Sequence, residues 1–320
     1  MAAIPIWKDK VIDLGATSVE FRLTVGGNTI YSGKAIARPG ESNAKVRIND
    51  ICADYLVNVK PALSDRTFAS FDLPSFVVQK KSGGTWSNVE TVLFYNDWSY
   101  NYGFTGNVLS DPINGKVTTA MFILSSAKEI SSNVTASYKK SGGSVTTRTT
   151  TVSPTPAYGT CLFDVSAVSD TVQITVNSKV YKVVDGCGYK YALYYINAYG
   201  GWDQLLVEGN DLEADNLERH IRGNEYVNTT SDQAGMVDYV NEITKTWTLN
   251  TGLLTDSEAS RMHHLLNSPL VYLFQFAGGG YSYPVIIKTD TCEYKTYKNQ
   301  GNRMFNYQFT VELAQNRIRR

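Results

Sequence analysis

Phe305-Asn306-Tyr307-Gln308-Phe309-Thr310-Val311-Glu312-Leu313 sets an apolar residue at every second position with a polar one between. Successive side chains of a strand point to opposite faces, so this spacing places Phe305, Tyr307, Phe309, Val311 and Leu313 together on one buried face. Working back from it, strands are expected at 270–276 and 283–288, joined by a hairpin loop at Gly278-Gly279-Gly280, with 292–297 continuing the sheet and 246–249 flanking it. One helix, over 256–267, interrupts this run. Thr255 and Glu258 form a capping box, in which the hydroxyl and the carboxylate each satisfy an orphan amide. Ala259, Met262, Leu265 and Leu266 make one apolar stripe, and Asn267-Ser268-Pro269 stops the helix.

The N-terminal part repeats the strand pattern. Val19, Phe21, Leu23 and Val25 alternate with Glu20, Arg22 and Thr24, Gly26-Gly27-Asn28 turns the chain, and Thr29-Ile30-Tyr31 returns as the hairpin partner. Arg38-Pro39-Gly40 precedes a strand at Lys45-Val46-Arg47-Ile48, and Asn49 or Asp50 caps a short helix to Leu56. Strands at 75–79 and 89–95 enclose a turn at Lys81-Ser82-Gly83-Gly84. In the Ser-, Thr- and Val-rich middle, Val134, Ala136 and Tyr138 alternate, and Ser141-Gly142-Gly143-Ser144 turns into a Thr-rich strand from Val145. Val172, Ile174 and Val176 alternate before Asn177-Ser178 turns into Lys179–Val184. Short strands packed into about 70 residues suit a small immunoglobulin-like sandwich, although no Cys…Trp…Cys spacing accompanies them. The expected fold is mainly β, with multidomain β-sandwich or barrel domains: an N-terminal β domain over 1–115, the small sandwich over 116–188, and a C-terminal β domain over 189–320 carrying the helix.

Thirty Lys+Arg balance 30 Asp+Glu, so the chain lacks the cation excess of a general nucleic-acid binder. Charged residues at 19% and hydrophobic residues at 42% match globular usage and exclude a disordered class. No run of about 18 apolar residues is present to span a membrane. The opening Met1-Ala2-Ala3-Ile4-Pro5-Ile6-Trp7 has no basic stretch before an apolar one, so neither a signal peptide nor a membrane partner is expected. Cys52, Cys161, Cys187 and Cys292 form no C-x-x-C pair and have no His at zinc-ligand spacing, which reads as buried thiols.

Candidates for chemistry are few. His263 and His264 are adjacent, so on a helix their side chains diverge by about 100° and cannot share a metal as an i, i+4 pair does. His220 lies in a polar stretch. No nucleophile elbow or Walker loop occurs, and the triple Gly lies between strands, where it lacks a helix N-terminus for phosphate. No catalytic residue, cofactor or metal ligand is assigned. The carboxylates Glu208, Asp211, Glu213 and Asp215 do not match an EF-hand and read as a solvated loop. Aromatic residues cluster twice: Tyr95, Trp98, Tyr100, Tyr102 and Phe104, then Tyr189, Tyr191, Tyr194, Tyr195, Tyr199 and Trp202. Such rings stack on sugars, anchor subunit interfaces or fill sheet cores. Tyr191-Ala192-Leu193-Tyr194-Tyr195-Ile196 is apolar on both faces, so core or a neighbouring subunit must cover both sides.

Pro5-Ile6-Trp7-Lys8-Asp9, Arg38-Pro39-Gly40-Glu41, Asn49-Asp50-Ile51-Cys52-Ala53-Asp54-Tyr55, Phe94-Tyr95-Asn96-Asp97-Trp98-Ser99-Tyr100 and Tyr194-Tyr195-Ile196-Asn197-Ala198-Tyr199-Gly200-Gly201-Trp202-Asp203 resemble stretches of structural proteins of tailed phages and prophages of gut Bacteroides-type bacteria. The part from Trp247 through the capped helix to Glu312-Leu313-Ala314-Gln315-Asn316 is similar in layout to phage distal-tail and tail-hub domains, which set one helix against a curved sheet or barrel. The resemblance implies a non-enzymatic virion component, assembled in the bacterial host cytoplasm. Its partners would be copies of itself in a ring or hub and other virion proteins. No functional residue transfers from it. The residues expected at interfaces are Trp98, Tyr100, Tyr195, Tyr199 and Trp202, with the basic end Arg317, Arg319 and Arg320 docking on a neighbour's acidic 208–215 stretch. The alternative is a glycan-binding or adhesin module, with Trp202 or Trp98 stacking on a sugar and Asp203 or Asp97 accepting its hydroxyls.

Overall fold

Val19, Phe21 and Leu23 are buried along the strand Ser18–Val25 while Ser18 and Glu20 face solvent, as their alternation requires. The computed structural model describes residues 3–56, 66, 68–70, 73–97, 107–109, 112–113, 115–130, 132–153, 157–185, 189–208, 211–223, 236–276, 281–289, 305–314 and 317–319. Among the described residues strand predominates and helix is minor, a mainly β, multidomain sandwich type of architecture. The chain groups into two units built from non-consecutive segments. The first holds Met1–Ser110, Phe122–Val180 and Asn197–Trp202; the second holds Asp111–Met121, Tyr181–Ile196 and Asp203–Arg320. Where the sequence suggested three consecutive blocks, contacts group the chain so that short segments such as Asn197–Trp202 join residues far away in sequence. Among the described residues, no helix is long and apolar enough to cross a membrane.

In the first unit, one sheet runs in the order Ile4–Pro5, Thr85–Tyr95, Ser75–Ser82, Ser18–Val25, Asn28–Ile36. Its inner face carries Val19, Phe21, Leu23, Phe76, Val78, Val92 and Phe94, which pack with Ile6, Ile12, Leu14, Ile48, Cys52 and Leu56. The short helix Asn49–Ala53 forms as expected, but its cap position is Ile48, and the Asn49 side chain has another task. Its Oδ1 accepts from the Lys10 amide at 2.8 Å, and its Nδ2 donates to the Ile6 carbonyl at 2.6 Å and the Lys8 carbonyl at 2.8 Å. Asn49 thereby ties the N-terminal segment to the core, and it is only 2% exposed. Replacing it with alanine strands three backbone groups and is expected to cost about 2–4 kcal/mol. An unchanged urea midpoint for Asn49→Ala would contradict the clamp.

The same unit holds a second pair of layers. Val134–Lys140 pairs with Val145–Thr150 on one side and Thr171–Val176 on the other. Beside these runs the sheet Phe68–Ser70, Ala157–Asp164, Phe122–Ile130, Asn107–Leu109. Tyr138, fully buried, donates its hydroxyl to the Asp164 carbonyl at 3.0 Å and so bridges the two sheets. The expected turn at Asn177-Ser178 has both residues at positive φ, 46° and 68°, the backbone of a type I′ hairpin. Cys52 and Cys161 are free and buried, and burial pushes both thiols up to about 12, which keeps them protonated and inert. Cys187 and Cys292 lie outside the described residues.

The second unit is built on a sheet in the order Trp202–Leu206, Tyr191–Ile196, Val271–Gln275, Tyr281–Ile287, Phe305–Leu313, Met236–Leu254, Leu212–Gly223, with Arg317–Arg319 also pairing Met236–Leu254. Phe309 and Val311 are buried and Tyr307 and Leu313 pack against the same core, as the opening alternation required. The capping box at Thr255 and Glu258 is present. The helix after it divides into Asp256–Ala259 and Met262–Leu266, because the Arg261 and His264 amides bond three residues back, to Glu258 and Arg261, and tighten the turn between them. Ala259, Met262 and Leu265 enter the core on the sheet face carrying Tyr191, Leu193, Tyr195, Trp247 and Leu249.

Candidate functional site

Of the described aromatic residues singled out in the sequence, Tyr191, Tyr194, Tyr195 and Trp202 are buried, and Tyr95, Tyr189 and Tyr199 are half-buried. Every residue of Tyr191–Ile196 is buried, as is every residue of Trp202–Leu206. The apolar strand is therefore covered on both faces within one chain. Leu193 and Tyr195 face the helices, while Tyr194 meets Phe274 edge-on at 5.9 Å between centroids. Tyr195 and Trp202 are both 0% exposed, so neither ring offers a face to solvent. A sugar platform at Trp202 has no open side. Tyr199 is half-buried.

Tyr199 sits on a turn that brings the two aromatic segments together. The Tyr199 and Gly201 amides donate to Asn197 Oδ1 at 3.0 and 3.1 Å, and the Gly200 amide donates to the Asn197 carbonyl at 3.0 Å. Gly200 has φ +79°, and its Cα abuts the backbone of Asn96 so closely that a Cβ would stand 1.6 Å from the Asn96 oxygen. Asn96 and Asp97 are themselves buried. The Asp97 amide donates to the Tyr95 carbonyl at 2.9 Å, and the Trp7 amide donates to the Asp97 carbonyl at 3.2 Å. This junction is a backbone-to-backbone seam. Trp98, Tyr100, Tyr102 and Phe104 lie outside the described residues.

Glu213 and Asp215 are solvent-facing, as expected, but on a strand instead of a loop. That strand is Leu212–Gly223, and lysines from three other parts of the same unit answer the run. Lys116 Nζ lies 3.1 Å from Glu208 Oε1. Glu213 accepts from the Tyr191 hydroxyl at 3.0 Å, pairs with Lys245, and has Lys190 at 3.8 Å. The Lys245 hydrogen bond holds the Glu213 carboxyl below its ordinary range, whereas burial pushes Asp211 upward. Lys190 and Lys245 also lie over the rings of Tyr191 and Trp247, at 5.0 and 5.5 Å. Among the described residues no three His, Cys, Asp or Glu side chains gather as a metal site.

Because the folded chain depresses Glu213, its stabilising contribution is full above the usual glutamate value of 4.5 and disappears as the pH falls through the lower folded value. Wild type should melt above Glu213→Gln near neutral pH, and the gap should close as the pH falls through the depressed folded value. A gap independent of pH would contradict the assignment.

The most unusual feature of the second unit is a two-stranded ribbon. Leu212–Gly223 pairs antiparallel with Met236–Leu254, from Leu212 opposite Thr248 to Gly223 opposite Met236, with an irregularity between His220 and Ile221. Phe305–Leu313 supports Met236–Leu254 only from Thr246 onward, and Arg317–Arg319 covers Asn241, Glu242 and Ile243. The backbone of Arg317–Arg319 is thus a strand of the chain's own sheet, and Arg320 lies outside the described residues. Leu212–Gly223 is the last strand of its sheet; no described strand pairs with its outer edge. At 12 residues it is about 40 Å long, twice the usual strand. Leu212, Leu217 and Ile221 are 64%, 55% and 60% exposed along it. Sequence reasoning missed the ribbon, since its first strand carries no apolar alternation.

No protein-family model matches the chain, and no curated protein matches it.

Proposed function

We propose that the chain is a non-enzymatic structural subunit of a tailed-phage particle, in the tail or baseplate, which assembles into a ring or hub through β contacts between subunits and with other virion proteins. The supporting observation is the ribbon of Leu212–Gly223 and Met236–Leu254. A long edge with no described strand on it invites another strand, and natural proteins normally shorten or cover such edges. Beyond Asn241, toward Gly223 and Met236, no described third strand backs the pair; two strands alone are marginal in water, so that part gains stability when another strand joins it. Isolated apolar side chains on the same strand, Leu212, Leu217 and Ile221, would lose water on that contact. The glycan-binding alternative retains only Trp98, outside the described residues, since Trp202 is buried.

Native mass spectrometry and electron microscopy of the purified full chain, with proteomics of purified particles, test the proposal. Concentration-dependent oligomers and recovery of the chain in particles are expected. A monomer at every concentration that is absent from particles overturns it.

A further inference from the structure

Leu212–Gly223 carries its charges unevenly. Its first half holds Glu213 and Asp215, and its second half holds Glu218 followed by Arg219 and Arg222. A strand with acid at one end and base at the other is complementary to itself when reversed, so the occupant best matched to this edge is a second copy of the same edge. We infer, building on the assembly reading above, that the outer edge of Leu212–Gly223 pairs antiparallel with its equivalent in a second copy, about a two-fold axis through Leu217.

The register follows from the geometry of an antiparallel ladder. Successive residues present their N–H and C=O groups to opposite edges. A strand paired with its own copy about a two-fold axis must therefore set one residue opposite itself, because setting it opposite its sequence neighbour would mismatch the bonding groups. Centres at Asp215, Glu218 or Arg219 place like charges face to face, which is destabilising. A centre at Asn216 sets Asp215 opposite Leu217, and it aligns Arg219 with Glu213, a carboxylate already held by Tyr191 and Lys245. Centres nearer the ends lose most of the overlap, and one at His220 or Ile221 meets the irregularity there.

Leu217 as the centre avoids each of these faults. It sets the exposed Leu217 against Leu217 and Asp215 against Arg219 twice by symmetry, all on one face, because directly opposed residues share a face and alternate residues along a strand do too. That face continues across Met236–Leu254 through Ile243, opposite Leu217, and Lys245, opposite Asp215. The two edges would merge into one continuous sheet with Leu217 and Ile243 of both copies adjacent at its centre, each Ile243 backed by its own Arg317–Arg319 strand. Such an isologous contact joins copies in pairs, and a rotational contact elsewhere would stack those pairs into a double ring.

The test uses the full chain with Cys187 and Cys292 replaced by serine, leaving the buried Cys52 and Cys161. Opposed Cα atoms in an antiparallel ladder are about 4.5–5.5 Å apart, within disulfide range. Leu217→Cys should form a covalent dimer on mild oxidation, while Asn216→Cys should not. Asp215→Arg alone and Arg219→Asp alone should each weaken pairing about tenfold in sedimentation equilibrium, and the double reversal should restore it. If oligomers persist while Leu217→Cys fails to crosslink and single reversals change nothing, the two-fold edge is wrong and the assembly reading stands. Crosslinking of Asn216→Cys instead overturns the register. A wild-type chain that stays monomeric overturns the edge pairing, and its absence from particles as well overturns the reading beneath it.

Discussion

Gly200→Ala is expected to cost more than about 4 kcal/mol, or to leave no soluble chain at all. Two effects combine. The first is the backbone: φ at +79° lies in the region where a side chain costs roughly 1–2 kcal/mol. The second is space, since the added carbon would stand 1.6 Å from the Asn96 oxygen and 2.7 Å from its carbonyl carbon. These are backbone atoms, so no rotamer change relieves the clash. Asn96 has little freedom to retreat. Its neighbours carry the Ile6 amide on the Tyr95 carbonyl at 3.1 Å and the Trp7 amide on the Asp97 carbonyl at 3.2 Å. Moving the turn instead breaks the bonds from Tyr199 and Gly201 to Asn197. Either route opens the seam, which hydrogen exchange at the Trp7, Asp97, Tyr199 and Gly201 amides would report. Gly142→Ala is the control, because nothing lies within 4 Å of its added carbon and its melting temperature should hardly change. Equal effects at the two positions would contradict the seam.

The seam also shows what a sequence can and cannot disclose. The aromatic texture of Phe94-Tyr95-Asn96-Asp97 and Tyr199-Gly200-Gly201-Trp202 marked both segments, but only the fold shows that they touch through backbone atoms. Strands with one wet face were legible, as at Ser18–Val25 and Phe305–Leu313, where period-two alternation records a single buried side. Phe122–Ile130 and Ala157–Asp164 were not: Ile123, Leu124, Cys161, Leu162 and Phe163 are consecutive buried residues, and a strand covered on both faces has no such period. The ribbon failed for the opposite reason. Leu212–Gly223 is exposed on both faces where described, so its charges read as a loop although the backbone is fully laddered to Met236–Leu254. Burial on one side writes the pattern; burial on both sides or on neither erases it.

Tyr195→Ala should destabilise the second unit by about 3–5 kcal/mol, the range for deleting a large buried ring. Tyr195 is fully buried among Leu193, Leu265 and Val271, so its removal leaves a cavity that the strand and helix cannot fill without breaking their own ladders. Tyr195 is itself one of the residues that the sequence places at an interface, and the two roles separate cleanly by measurement. An interface anchor leaves the isolated chain's melting temperature intact and lowers only its self-association. A core ring lowers the melting temperature first, with association lost as a consequence. Leu217→Ala supplies the contrast, because that side chain is 55% exposed in the single chain and its truncation should change stability by no more than about 0.5 kcal/mol. Tyr195→Ala that melts like wild type but fails to associate would reverse the assignment and return the aromatic strand to the surface. The opposite pair of results, an unstable Tyr195→Ala and a stable Leu217→Ala with weakened association, separates the two tasks physically. Buried aromatic rings then hold each copy together, and the sparsely apolar, charge-patterned edge joins copies to one another.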